Sequence, residues 1–244
     1  MKDKHHEQWE KLGATDPYWA VLSNPKMKND KWNRTEFFQR GEMEVVNLMT
    51  KFEALGIDVE LGSVLDFGCG VGRVSRALSE RFRKVIAIDV SRSMLQEAQN
   101  ANQHIDNIDF IHNAAEDLSI ISDDSVDCLY TNMVLQHMPK KRQVKYIREF
   151  CRVLQPKGIL VMKTQSKSNL KTWKGWVYLL TGNYGINIIN KIQIGYFSGM
   201  EMHTIPKKTV LNALDDENMT IVKVDKLASG HSAVIHPRYF AEKS

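Results

Sequence analysis

From residue 63 onward, short apolar runs alternate with amphipathic stretches, and that alternation leaves few folds open. The runs are 64–67, 85–88, 108–111, 126–130 and 159–162, and between them lie 73–82, 91–104 and 140–154. In the last stretch Val144, Ile147, Cys151 and Leu154 share one helical face. Gln155-Pro156-Lys157-Gly158 then ends the helix and opens the next strand. Strands separated by helices predict a parallel sheet covered on both faces. Right-handed crossovers make it a doubly wound α/β sandwich. Residues 207–218 read as a helix, and 220–227 and 234–241 as two strands joined through a turn at Ser229-Gly230. With no helix between them, those two predict an antiparallel hairpin at one sheet edge. The expectation is a seven-stranded, mostly parallel sheet with an antiparallel C-terminal hairpin.

Composition narrows the function classes. Apolar residues make up 43% and charged residues 25% of 244 positions, which excludes disordered, collagen-like and disulfide-framework chains. Thirty-three Lys and Arg against 29 Asp and Glu leave a net charge of +4. That excess is small and dispersed, so neither nucleic acid nor a membrane is expected as a partner. No apolar run approaches the ~20 residues of a membrane span, and the first residues hold no signal-peptide core. Cys69, Cys128 and Cys151 are odd in number and form no CxxC, as expected of reduced thiols in the cytoplasm. His5, His6, His104, His112, His203, His231 and His236 show no ligand spacing, and no metal site is expected.

The sharpest local signal is Asp66-Phe67-Gly68-Cys69-Gly70-Val71-Gly72-Arg73, where the first strand ends and the first crossover helix begins. Open α/β sheets bind ligands at such strand ends. Glycine there permits positive φ and a close backbone approach. The spacing is not the dinucleotide fingerprint, because its third glycine would fall on Arg73. It is not a phosphate loop either, since no Gly-Lys-Ser/Thr follows. An acid at the loop entrance repels pyrophosphate but accepts hydrogen bonds from an ammonium group. Asp89 ends the second strand, where an acid can take both ribose hydroxyls. A ligand with a ribose and an amine fits best, and S-adenosylmethionine meets that description better than NAD or ATP.

In order and spacing, DFGCGVGR, VIAIDVSRSML, the AAED loop, SVDCLYTNMVLQHMP and RVLQPKGIL resemble the class I S-adenosylmethionine-dependent methyltransferases. The resemblance covers about residues 62–163 and implies their Rossmann-like fold. It implies that Asp66 and the loop Gly68, Cys69 and Gly70 line the methionine end of the cofactor, mostly through backbone, and that Gly72 lets the first helix pack closely. It puts the ribose on Asp89, the adenine near Val90 and Met94 and between Ala115 and Glu116, and the sulfonium opposite Asn132 and Met133. Many relatives read Gly-Asp-Ala-Glu where this chain has Asn113-Ala114-Ala115-Glu116. The acid that often meets the adenine amine is therefore absent at position 114, and Glu116 or a backbone carbonyl is left to replace it.

His137, after the fourth strand, is the candidate catalytic residue, able to take a proton from an acceptor; the alternative is a hydrogen bond to its own loop. Cys69 reads as a small loop filler rather than a nucleophile. Arg34 and Arg40 lie on a helix spanning 34–55 and read as a solvated face, as does the basic group Lys140, Lys141, Arg142 and Lys145. The expected organisation is an N-terminal helical extension covering the crevice (1–57), the cofactor-binding α/β core (58–164), an insertion or lid forming the acceptor pocket (165–206), and a helix with two strands completing the sheet (207–244). The function implied is methyl transfer to an O or N atom of a small-molecule acceptor. A non-catalytic S-adenosylmethionine-binding module and an NAD-dependent oxidoreductase are the alternatives. The oligomeric state is not legible.

Overall fold

The structure is a computed structural model that describes residues 4–194, 202–227 and 233–244. Seven strands, β1 (Ser63–Phe67), β2 (Lys84–Asp89), β3 (Ile108–His112), β4 (Val126–Thr131), β5 (Leu154–Lys163), β6 (Met219–Leu227) and β7 (His236–Lys243), form one sheet in the order β3-β2-β1-β4-β5-β7-β6. The first five are parallel, and β7 runs antiparallel to both β5 and β6. This is the expected doubly wound sheet, with β7 inserted beside β5 and β6 at the edge. The turn expected at Ser229-Gly230 lies outside the described residues.

Alternate side chains of the buried strands feed two cores. Leu65, Phe67 and Leu129 point to the face covered by α6 (Lys140–Val153) and α8 (Lys207–Asp215), where they meet Ile147, Phe150 and Leu214. Val64, Val85 and Cys128 point to the other face, against Leu48 and Phe52 of α3 (Arg34–Leu55), Leu78 of α4 (Arg73–Ser79) and Leu95 of α5 (Arg92–Ala101). Gly56 ends α3 in a left-handed conformation, with φ of 66°. Ser91 caps α5 by accepting from the Met94 amide.

The helix α6 passes into β5 without the expected break. Leu154 is already paired with Val126, and a register shift between Val126 and Cys128 absorbs the mismatch. Lys157 takes a positive φ of 65° within the strand. Ahead of the sheet, α1 (Lys4–Thr15) and α2 (Pro17–Val21) build a third, aromatic cluster with Trp19, Trp32, Phe37 and Met94. Among the described residues no helix is long and apolar enough to cross a membrane. Nor does any group of three His, Cys, Asp or Glu among them have metal-holding geometry.

Candidate functional site

The strand order reverses direction between β1 and β4, so their carboxyl ends diverge and leave a crevice. A cleft of about 610 Å³ opens there, a size suited to one nucleoside-bearing small molecule. Its floor is Phe67 and Gly68 after β1, Ile88 to Val90 at the end of β2, and Asn132 to Val134 after β4.

The loop after β1 is shaped by three left-handed glycines, with φ of 77° at Gly68, 57° at Gly70 and 75° at Gly72. The amides of Gly68 and Cys69 both donate to the Ile88 carbonyl, at 2.8 and 3.0 Å, which holds the loop against β2. A Cβ on Gly68 would lie 2.3 Å from the Val134 side chain, and one on Gly70 would lie 2.7 Å from Val21. The backbone therefore reaches the cleft wall where no side chain fits. Gly72 sits behind, closing α4 onto Asn102 and Phe110.

Asp89 faces the cleft beside this loop. One carboxylate oxygen accepts from the Gly70 amide at 2.8 Å, and the other from the Ser91 amide at 2.9 Å. Each oxygen keeps a lone pair for a ligand hydroxyl. Burial pushes its pKa up, against the pull of those amides. Val90, Met94, Ala115 and Glu116 line the same end of the cleft. The segment after β3 is held by Asn113, whose Oδ1 accepts from the Ala115 amide at 2.9 Å and whose Nδ2 donates to the Asp117 carbonyl at 2.7 Å. Tyr146 donates to the Ala115 carbonyl at 2.8 Å. Glu116 is paired with Arg142, so one member of the basic group expected to be solvated forms part of the cleft wall.

Asp66 and Cys69 are not on the cleft surface. Both are buried, Asp66 accepting a 2.6 Å hydrogen bond from Ser75 Oγ of α4. Burial raises the Asp66 pKa to about 7, against the pull of Ser75 and Arg73. Burial also pushes the Cys69 thiol up, reinforced by Asp89 and Asp66, which leaves it unsuited to nucleophilic work.

Sequence reasoning missed Glu44. This α3 side chain sits beneath the cleft and takes three partners: Arg73 at 2.7 Å on one oxygen, and Tyr130 and Asn132 on the other. Burial raises its pKa, but Arg73 and the three hydrogen bonds outweigh that and hold it below the usual range. Because Glu44 takes the Asn132 amide nitrogen, the Asn132 amide oxygen is left buried, with no hydrogen-bond partner among the described residues. Asn132 as a residue forms part of the cleft wall. Met133 follows with φ of 65°, a left-handed turn for a non-glycine residue at the cleft edge. No local pattern distinguishes Glu44 from the other acids of α3.

The first two helices cover the cleft. His5, His6, Trp9 and the 19–23 segment line its outer wall. Glu10 fixes α1 there by accepting from Ser91 Oγ and Ser93 Oγ, at 3.0 and 2.5 Å. Gly13 lies so close to α5 that a Cβ would be 2.8 Å from Ser91 Oγ. His137 reaches the cleft with its ring edge-on to Trp9, centroids 5.1 Å apart. From 165–206, Met202 is the one described residue in the lining. Arg34 and Arg40 pair with Asp30 and Glu36 on their own surface, away from the cleft.

Comparison with known proteins bears on this geometry. The methyltransferase domain model matches residues 64–158, which span β1 through the start of β5. That stretch of the chain is thus similar to a methyltransferase domain, as its resemblance to the class I S-adenosylmethionine-dependent methyltransferases implies. The methyltransferase domain is 34% identical over 116 residues to malonyl-acyl-carrier-protein O-methyltransferase from Methylovorus sp. (strain MP688), covering 45% of this chain and 38% of that protein. It is 31% identical over 100 residues to phosphoethanolamine N-methyltransferase 1 of Caenorhabditis elegans, covering 41% of this chain and 21% of that one. The chain thus spans well under half the length of these curated relatives. In fold it resembles magnesium protoporphyrin IX methyltransferase from Synechocystis PCC 6803, solved with bound SAH, with a TM-score of 0.65 at 19% identity over 98% of both chains.

Proposed function

We propose that the chain transfers a methyl group from S-adenosylmethionine to an oxygen or nitrogen of a small-molecule acceptor. The observation that carries this reading is the junction of the glycine loop with Asp89: a backbone wall free of side chains, tied to a carboxylate that faces the cleft. The residues fit the cofactor. Asp89 suits a ribose diol, Val90, Met94 and Ala115 suit a flat apolar ring, and Asn132 and Met133 suit the methionine end. Arg73, locked to Glu44 at the third fingerprint position, disfavours NAD.

The cofactor supplies an already activated methyl group. The protein's part is alignment and exclusion of water, which in well-oriented intramolecular reactions is worth about 7–11 kcal/mol. Gly68, Gly70 and Asp89 hold the nucleoside end. Asn132, oriented by Glu44, faces the reacting end. Trp9, Trp19 and Met138 keep that region apolar. His137 stands where it can receive a proton from an acceptor hydroxyl or amine. The O- and N-methyltransferases among its relatives make both acceptor atoms reasonable for this chain.

The test is incubation of the protein with methyl-labelled S-adenosylmethionine and a metabolite extract. Label in a small molecule, with S-adenosylhomocysteine released in equal amount, is expected. Tight cofactor binding with no label transferred would favour a non-catalytic binding module.

A further inference from the structure

An exposed apolar helix outside the cleft is left without a role by methyl transfer. The helix α7 (Trp173–Ile194) is interrupted at Gly182, where φ is 59° and ψ is −143°. In its first half Trp173, Trp176, Leu179 and Leu180 are 57%, 52%, 55% and 79% exposed, and Tyr184 beyond the kink is 72% exposed. Positions 173, 176 and 180 fall on one helical face. Soluble proteins seldom leave so many large apolar side chains together in water.

The first turn of the helix is capped by the segment just before it. Gly175 packs so tightly that a Cβ would fall 1.9 Å from the Asn169 carbonyl oxygen. The Gly175 amide donates to Thr172 Oγ1 at 3.0 Å, and Thr172 Oγ1 donates to the Asn169 carbonyl at 3.0 Å.

Charge says what covers it. Between Glu149 and Glu201 the sequence has no Asp or Glu, but seven Lys or Arg. Three of these, Lys167, Lys171 and Lys174, flank the start of α7, the first two of them exposed. Lys174 lies over the Trp173 ring, its Nζ 5.8 Å from the centroid. Tryptophan, tyrosine and leucine beside lysines, in a stretch of sequence without acids, match a surface that is apolar beneath and anionic at its boundary. We propose that α7 lies in the headgroup region of an anionic lipid bilayer, its tryptophans at the acyl boundary and its lysines on the lipid phosphates. The helix rests on this surface without crossing it. The dispersed net charge of the whole chain hides this, because the signal is local. Tyr178 of α7 donates to the Met202 carbonyl at 3.5 Å, and Met202 lines the cleft. Docking thus sets the cleft mouth beside the lipid.

Flotation of the full chain with vesicles tests this. Vesicles of phosphatidylcholine with about a quarter phosphatidylglycerol are compared with phosphatidylcholine alone. Binding to the anionic vesicles, weakened by salt, is expected. The double variant Trp176→Ser with Leu180→Ser should lower partitioning at least about tenfold. It should leave the circular dichroism spectrum and the affinity for S-adenosylmethionine unchanged, which separates this proposal from the reading of the cleft. No binding to anionic vesicles at low salt would overturn the proposal, and so would binding that the double variant leaves intact. Sedimentation showing a dimer that the double variant dissociates, without vesicle binding, would assign the face to a second copy of the chain.

Discussion

Two carboxylates at the ends of neighbouring strands have opposite settings. Asp89 faces the cleft and Asp66 is shut behind the loop. If Asp89 holds the ribose as proposed, Asp89→Ala removes hydrogen bonds to a charged group, and calorimetry should show S-adenosylmethionine binding weakened by roughly 1.5–3 kcal/mol. Unchanged affinity would take Asp89 out of the site. For Asp66, burial places the folded-state value near 7, above the ordinary carboxyl value. The neutral form is favoured by folding, so this stabilisation is full at acid pH and is lost as the pH rises toward 7 and beyond. Asp66→Asn removes the ionisation yet keeps an acceptor for Ser75. In urea melts the variant should match the wild type near about pH 4 and gain on it by up to about 4 kcal/mol near about pH 8. A difference that does not vary with pH would show that Asp66 does not titrate. Glu44→Ala strands the buried Arg73 guanidinium and should cost roughly 3–5 kcal/mol. Combining Glu44→Met with Arg73→Met should recover much of that loss, and an additive loss would contradict the pairing.

At the scale of elements, the cleft is made where the glycine loop meets the second helix. Gly70→Ala forces a Cβ into both a left-handed φ and the Val21 side chain. A loss of roughly 1–3 kcal/mol in folding stability is expected. Val21→Ala in the same chain should restore only the steric part, leaving the backbone strain, as thermal melts can show. The β1 loop, the β2 acid and the βα alternation were legible in the sequence because each is a local pattern of strand, turn and helix. The family pattern implies that Asp66 and Cys69 lie by the ligand mostly through backbone, and the structure has both side chains buried beside a loop of left-handed glycines. Glu44 and the cover formed by α1 and α2 were less legible. Their roles arise from contacts across long sequence separations, such as Glu10 with Ser91 and Glu44 with Asn132. The strand β5 began earlier than expected because pairing with β4 overrides the Pro-Lys-Gly break signal.

Over the whole molecule, the parallel sheet supplies a rigid floor, and the crossing between β1 and β4 fixes where a ligand can enter. The N-terminal helices close one side, and Glu10 ties them to the helix that follows Asp89. Deleting residues 1–22 should therefore leave the sheet folded, by far-ultraviolet circular dichroism, while weakening cofactor binding, since the Trp9 and Trp19 wall is gone. Undiminished binding would show that the cover plays no part in holding the cofactor. The most direct measurement is isothermal titration of the full chain with S-adenosylmethionine and, separately, with NADH. A saturable one-to-one heat with S-adenosylmethionine and none with NADH is the expected result. Silence with S-adenosylmethionine, or binding of NADH alone, would contradict the assignment of this cleft.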